Sequence, residues 1–257
     1  SVAFNDQGDL WAWGSNERGQ LGHKGGSVTG LVYSPKQLWV GQNKQASTKI
    51  LQVCASVYST LLLRESREDG FSSRHPPYSN GSLNRQRSEV FQWGHGNHVP
   101  MRVTFSAGRA HMTSSPLLSD EHSTPSSIRA CTTRQAINIV HMSAGLYHNV
   151  ALSSAKHVYT WGSGSDVLGQ GSGGESGAIG STVASRERES ACGHLVEALL
   201  LENGGGRINY VVASVNRTCA VSEAGDLYTW GATEPSQQGV LGHGRGSSYQ
   251  PLPKRVL

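Results

Sequence analysis

Apolar positions recur along the chain in two kinds of short stretch. The first is nearly continuous. "KILQVCASVYSTLLL" (49–63), "NIVHMSAGLYHNVAL" (138–152) and "RINYVVASVNRTCAV" (207–221) align without a gap, with isoleucine in the second column and alanine in the seventh. Each predicts two strands joined by a tight turn, at Ser56-Val57-Tyr58, Gly145-Leu146-Tyr147 and Ser214-Val215-Asn216. Runs this apolar predict strands covered on both faces. The second kind alternates. "LWAWGSNERGQLGH" (10–23), "VFQWGHGN" (90–97), "VYTWGSGSDVLGQG" (158–171) and "LYTWGATEPSQQGVLGHG" (227–244) share an apolar residue, an aromatic, a variable residue and then Trp-Gly. Side chains two apart on a strand project to one face, so Trp11 with Trp13, Phe91 with Trp93, Tyr159 with Trp161 and Tyr228 with Trp230 make four paired aromatic faces. Burying each ring contributes about 1.5–3 kcal/mol, enough to make these faces the main adhesive between repeated units.

The Trp-Gly pairs lie 80, 68 and 69 residues apart (13 to 93, 93 to 161, 161 to 230). That period is too long for a helical solenoid and suits four strands with their loops, the blade of a β-propeller. Ser1–Phe4 continues the same register as part of a first, truncated repeat. The pattern predicts an all-β chain of four-stranded antiparallel blades, one incomplete propeller domain over 1–257 with repeats centred on Trp13, Trp93, Trp161 and Trp230. Gly14, Gly94, Gly162 and Gly231 follow the tryptophans where the chain must turn without a Cβ. Gly19 to Gly22 and Gly239 to Gly242 are expected to supply positive φ on both sides of a buried leucine.

Composition agrees with this picture. There are 32 glycines, while only 16% of the 257 residues are charged, which favours short strands and turns over long solvent-facing helices. The net charge of +4 comes from scattered basic residues without a dense Lys/Arg block, so nucleic acid is not expected as a direct partner. Cys54, Cys131, Cys192 and Cys219 show no C-x-x-C spacing and read as reduced thiols of an intracellular protein, cytoplasmic or nuclear. The triplets Asn80-Gly81-Ser82 and Asn216-Arg217-Thr218 would matter only in a secreted chain. No apolar stretch approaches the ~18 residues of a membrane-spanning helix, and no membrane partner is expected. The sequence opens at Ser1 inside a pattern already under way, which leaves organelle targeting open.

The order I-x-x-V-x-x-G-x-x-H-x-x-A-L, then V-Y-x-W-G-x-N-x-x-G-Q-L-G, then P-x-x-V resembles the regulator of chromosome condensation repeat. That resemblance implies a seven-bladed propeller, of which this chain would be an open arc: Ser1–Phe4 enters midway through a blade, and "PLPKRVL" (251–257) reads as an outer strand. Departures lie at Ser56 and Ser214, which replace the turn glycine, and at Ser59 and Arg217, which replace the histidine kept at His148. Family propellers are joined to ligase, kinase or targeting modules, which implies a non-catalytic protein–protein interaction scaffold within a larger protein. The alternative implied is guanine-nucleotide exchange on the small GTPase Ran with chromatin association. The clustered Gly-Trp-Arg-His-Thr signature of the ultraviolet-receptor branch is missing.

Three polar insertions, 64–89, 104–136 and 171–193, interrupt the repeats. Strand parity places the first two on one face and the third on the other. Long loops on a rigid scaffold are where partners bind, and Arg and Tyr are favoured at interface hot spots, so Arg74, Tyr78 and Arg87 are the candidate partner anchors. Arg64, Arg67, Arg74, Arg85 and Arg87 are offset by Glu65, Glu68, Asp69 and Glu89, which argues against a phosphate-binding patch. Gly169, Gly171 and Gly174 fit G-x-G-x-x-G, yet no apolar helix or βαβ context follows, so they read as a repeat loop. His95 and His98 lack a third metal ligand nearby. His148 is expected to be a structural histidine bonding neighbouring backbone. No catalytic, cofactor or metal site is expected.

Overall fold

The computed structural model describes residues 1–23, 30–38, 49–66, 87–106, 137–163, 167–170, 192–201, 207–233 and 239–257. Within them each repeat is laid down as adjacent antiparallel strands. Blade one has three: β1 (Val2–Phe4), β2 (Leu10–Ser15) and β3 (Leu31–Leu38). Blade two comprises β4 (Ile50–Ala55), β5 (Ser59–Ser66), β6 (Arg87–Gly94) and β7 (Asn97–Ser106). Blade three comprises β8 (Ile139–Ala144), β9 (His148–Ser153), β10 (Val158–Gly162) and β11 (Cys192–Leu195), followed by the four-residue helix α1 (Ala198–Leu201). Blade four comprises β12 (Ile208–Ala213), β13 (Arg217–Ser222), β14 (Leu227–Ala232) and β15 (Tyr249–Arg255). The chain is an all-β propeller, with successive sheets packed in chain order.

The glycine after each tryptophan is required by geometry. At Gly94, Gly162 and Gly231, φ is +107°, +123° and +122° and a bulge or the end of pairing interrupts the strand. A Cβ there would lie 2.1–2.3 Å from the carbonyl oxygens of Tyr58, Tyr147 and Asn216, which instead accept hydrogen bonds from the next backbone N–H. Each bulge therefore ties the Trp-Gly strand to the preceding tight turn.

Three apolar clusters fill the three junctions between blades. Trp93 closes on Leu10, Ala12 and Leu21 of blade one. Tyr159 and Trp161 close on Leu61, Leu63 and Val90 of blade two. Tyr228 and Trp230 close on Val150, Leu152 and Val158 of blade three. The aromatic faces fill the wedges between blades, as expected, and those of blades two to four point to the preceding blade. Trp11 and Trp13 differ from the other pairs in being only half-buried.

Two expectations are corrected. The near-continuous runs predict burial on both faces, which holds for β9 throughout; the inner strands leave Leu51, Val140, Tyr210 and Val212 exposed. They are instead cross-tied by side chains: Gln52 both donates to and accepts from the Met142 backbone, and Ser143 accepts from Ala213 N–H. Blades two and three are also not separate sheets. Their outer strands pair in parallel, Thr104 with Cys192, Phe105 with Gly193 and Ser106 with His194, giving one eight-stranded sheet. Strand β7 is long enough to serve two neighbours: its first part pairs with β6 and its last three residues with β11. Gly193 admits the Phe105 ring, since a Cβ would lie 2.5 Å from Phe105 Cδ1. The outer strands β3 and β15 carry Pro35, Pro251 and Pro253, which remove ladder donors from those edges.

Candidate functional site

The junctions determine how rigidly the surface loops are presented. At the junction of blades three and four, the turn after Trp161-Gly162 reaches forward to the next tryptophan. Thr160, between the two aromatics, donates to the Leu168 carbonyl at 2.6 Å and holds that turn in place. The Val167 carbonyl then accepts from Trp230 Nε1 at 2.9 Å and from the Thr218 hydroxyl at 3.3 Å. Gly169 (φ +72°) lies flat against the indole, where a Cβ would be 2.9 Å from Trp230 Nε1. The junction of blades one and two repeats part of this arrangement: Thr60 donates to the Gln20 carbonyl, as Thr218 does to Val167, and Gly22 lies against Trp93, but Trp93 Nε1 is buried without a hydrogen-bond partner.

Between blades two and three the forward loop is absent. Strand β6 returns into β7 through His95 and Gly96 alone, with His95 itself at φ +52°. Gln92, in the column that holds Thr160 and Thr229, extends to the next blade and accepts from Trp161 Nε1 at 2.7 Å. With the Asn149 amide turned over, its oxygen also faces that indole nitrogen at 3.1 Å. Phe105 completes the packing, edge-on to Tyr159 and Trp161 with ring centroids 5.5 and 5.6 Å away.

His148 is buried at the junction of blades three and four. Its Nε2 lies 2.8 Å from the Thr218 hydroxyl, which also reaches the Val167 carbonyl at 3.3 Å. The Thr218 side chain of the next blade is thus a partner in addition to the expected backbone bond, which Arg217 supplies. Burial pushes the imidazole down from its ordinary value of 6.5 to about 4, a backbone hydrogen bond at Arg217 acting weakly the other way. The ring is neutral at physiological pH and has no exposed face for proton transfer.

The expected partner anchors fall unevenly. Arg74 and Tyr78 lie outside the described residues. Arg87 opens β6, exposed and paired with Ser66 across the hairpin. The strands run further than the insertion boundaries 64–89, 104–136 and 171–193 suggest: β5 continues to Ser66, β6 begins at Arg87, β7 ends at Ser106, and Cys192-Gly193 belongs to β11. Below Arg87 the hairpin is bound by charge. Arg64 pairs with Glu89 at 2.9 Å, its guanidinium stacks 4.5 Å above the Phe91 ring, and Arg102 approaches the same carboxylate at 3.3 Å. The mutual cancellation read from the sequence is realised at Arg64 and Glu89.

Other motifs resolve into packing. Gly169 seats an indole; Gly171 and Gly174 lie outside the described residues. His98 packs on Gly19 of the preceding blade, while burial and the Arg18 charge hold His95 below its ordinary pKa. No group of three or more potential metal ligands occurs among the described residues. Cys54 and Cys219 are free thiols, and burial raises Cys54 to about 11; Cys131 lies outside the described residues. No described helix is long and apolar enough to cross a membrane. Sequence reasoning did not single out Gln92 or Thr218. The available signal for Gln92 was a long amide in an otherwise Thr or Ala column, in the one repeat with a shortened turn.

Comparison with known proteins agrees with this architecture. Two models described as regulator of chromosome condensation (RCC1) repeat match residues 7–63 and 139–170. The mitochondrial RCC1 domain-containing protein RUG3 of Arabidopsis thaliana is 24% identical over 94% of this chain and 54% of its own length. The chain thus spans about half of that relative. Human WBSCR16 superposes over all of this chain and 52% of its own, with a TM-score of 0.59 and 19% identity. Prp20p of Saccharomyces cerevisiae, whose structure was reported with its binding to Gsp1p and histones, covers 99% of this chain and 47% of its own, with a TM-score of 0.55 and 19% identity.

Proposed function

For this chain, a member of the regulator of chromosome condensation repeat family, we propose a non-catalytic role as a protein–protein interaction scaffold acting as one propeller unit of an intracellular protein. The observation that carries the reading is the contrast between interlocked junctions and the connections they display. The strand ends flanking 67–86 and 107–136 emerge on one face, because one connection joins the second and third strands of a blade and the other joins an outer strand to the next inner strand. The three described junctions beneath that face are apolar and aromatic. Rigid support with long polar connections suits partner capture. Arg74, Tyr78 and Arg87 are the proposed anchors on this face, with the third connection, 171–191, opposite. The test replaces 67–86 and 107–136 with five-residue connections copied from Ser222–Asp226 and compares crosslinked partners in cells. Loss of partners is expected; full retention would place binding elsewhere.

A second reading is guanine-nucleotide exchange on a small GTPase, favoured by the fold shared with Prp20p and its reported binding to Gsp1p. Exchange needs several correctly spaced loops to act together on switch and phosphate-binding elements, and this chain supplies four altered repeats. Mixing it with Ran carrying a fluorescent guanine nucleotide is expected to leave release at the buffer rate. Concentration-dependent release, lost on unfolding the propeller, would replace the scaffold reading.

A further inference from the structure

Strand β11 is four residues long and is paired on both sides. On one side it runs antiparallel to β10, with His194 opposite Thr160 and Leu195 opposite Tyr159. On the other it lies parallel to the end of β7, where Gly193 is opposite Phe105. The Phe105 ring packs on Gly193 and stands edge-on to Tyr159 and Trp161, the two rings that β10 carries. These links close a circuit: β7 backbone to β11, β11 backbone to β10, and the β10 rings to Phe105. Three rungs of parallel ladder hold weakly by themselves, because slanted bonds are slightly less stable than antiparallel ones. Parting them, however, also withdraws Phe105 from Trp161. The other described junctions have no such circuit, since β3 does not pair with β7, nor β11 with β15. Every residue of the circuit belongs to blades two and three, each of which has a neighbouring blade on both sides.

The circuit also has an end toward each face of the propeller. The connection 107–136 leaves from Ser106, the last residue of β7, and the connection on the opposite face arrives at Cys192, the first residue of β11. Ser106 pairs with His194 and Cys192 with Thr104, so the two ends share one ladder. We propose that this circuit is an interlock between the two faces: β7 and β11 part in a single step, so that whatever opens the ladder from the Ser106 end also frees the Cys192 end. By linkage, a partner that favours the open or the closed ladder from one face changes affinity at the other face by the same factor. That consequence rests on the interaction reading above. The single-step opening does not, and it fails or stands whether or not partners are lost when the connections are replaced.

Hydrogen exchange of the full chain, read by mass spectrometry on peptides covering 104–106 and 192–195, tests the interlock. In the native chain the two strands are expected to open with equilibrium constants within about threefold of each other, as members of one cooperative unit do. A larger difference overturns the proposal with no variant needed. Gly193→Ala would set a Cβ 2.5 Å from Phe105 Cδ1 and push the ring off Trp161. Exchange is then expected to rise about tenfold or more in both strands and in β10, while β12 to β15 change by less than about twofold. Adding Phe105→Leu to the Gly193→Ala chain removes the colliding ring edge and is expected to slow exchange in both strands again. A rise confined to 192–195, or no recovery on adding Phe105→Leu, would refute the single step. Should Gly193→Ala not fold, Phe105→Leu alone decides: it is expected to speed 192–195 as much as its own strand, and a change confined to 104–106 would refute the interlock.

Discussion

The junction between blades three and four and the junction between blades two and three bury the same tryptophan column by different means. Trp230 gives its indole hydrogen to a backbone carbonyl, Val167, on a turn clamped by Thr160. Trp161 gives its hydrogen to the Gln92 side chain, because the two-residue turn at His95-Gly96 brings no carbonyl forward. A buried indole N–H is stabilised by an acceptor, and where the loop is short Gln92 supplies one; Trp93 Nε1, at the junction of blades one and two, is buried without one. The difference shows two junctions meeting the same physical demand with different groups, one a backbone carbonyl and the other a side-chain amide. It also assigns different weak points: one junction depends on backbone placement, the other on a single amide.

The sharpest test asks whether the two solutions bear equal load. Truncating Trp161 or Trp230 to alanine removes a fully buried ring from each junction and is expected to cost about 3–5 kcal/mol in either case. Urea unfolding measures both. Equal losses mean that the substitute junction is as well packed as the standard one; a much smaller loss for Trp161 would mean that the Gln92 arrangement is slack.

Acid should next separate the junctions. His148 belongs to the junction of blades three and four, and its folded pKa of about 4 lies below the unfolded value of 6.5. The unfolded chain therefore binds the extra proton first. This contribution to stability is intact above pH 6.5, declines as pH falls, and levels off below about 4, at a loss of about 3 kcal/mol. His23, His95 and His194 are also lowered by burial and slope the same way. Melting curves of His148→Ser, which installs the residue found at Ser59 of blade two, should retain only that residual slope. An unchanged acid limb would remove His148 from the account.

Much of this was legible because strands impose a strict alternation. Trp93, Trp161 and Trp230, each followed by glycine, mark register and face at once, and the positive-φ glycines around Leu21 and Leu241 follow from the same reading. The β7–β11 pairing was not legible, since it joins strands that no repeat alignment brings together and depends on Gly193 making room for Phe105. The cross-blade partner of His148 was hidden for a related reason: the Thr218 hydroxyl is 70 positions away, and only the docking of two blades makes them neighbours. Residues that bond within a repeat are read from its columns; those that bond between repeats require knowing which face meets which.

Gln92 then tests the replacement itself. Gln92→Leu keeps much of the bulk and leaves Trp161 Nε1 without its 2.7 Å acceptor. Leaving a buried donor unpaired is expected to cost about 1–3 kcal/mol, less whatever the turned-over Asn149 amide recovers. The counterpart Thr160→Val loosens the Leu168 turn but leaves the Val167 carbonyl in reach of Trp230, so a smaller loss is expected. Denaturant midpoints of the two variants decide the matter, and a larger loss at Thr160 would reverse the assigned weak points.

The smallest expected effect concerns Phe105, the other half of the substitute junction. Its ring stands edge-on to both Tyr159 and Trp161, and Gly193 lets it approach. Phe105→Leu keeps an apolar side chain and leaves the β7–β11 backbone pairing intact, so the hydrophobic contribution is largely preserved. What is lost is the aromatic geometry, worth about 0.5–1.5 kcal/mol for such a pair beyond its buried area. The loss should appear at Trp161 before it appears in the melt, as a red shift of tryptophan emission where the ring edge no longer shields the indole. Combining Phe105→Leu with Gln92→Leu should cost more than the separate losses added, because each then removes the support that holds the same indole in place. Strict additivity would mean that the amide and the ring act independently, and that blades two and three are joined by two separate contacts rather than one cooperative junction.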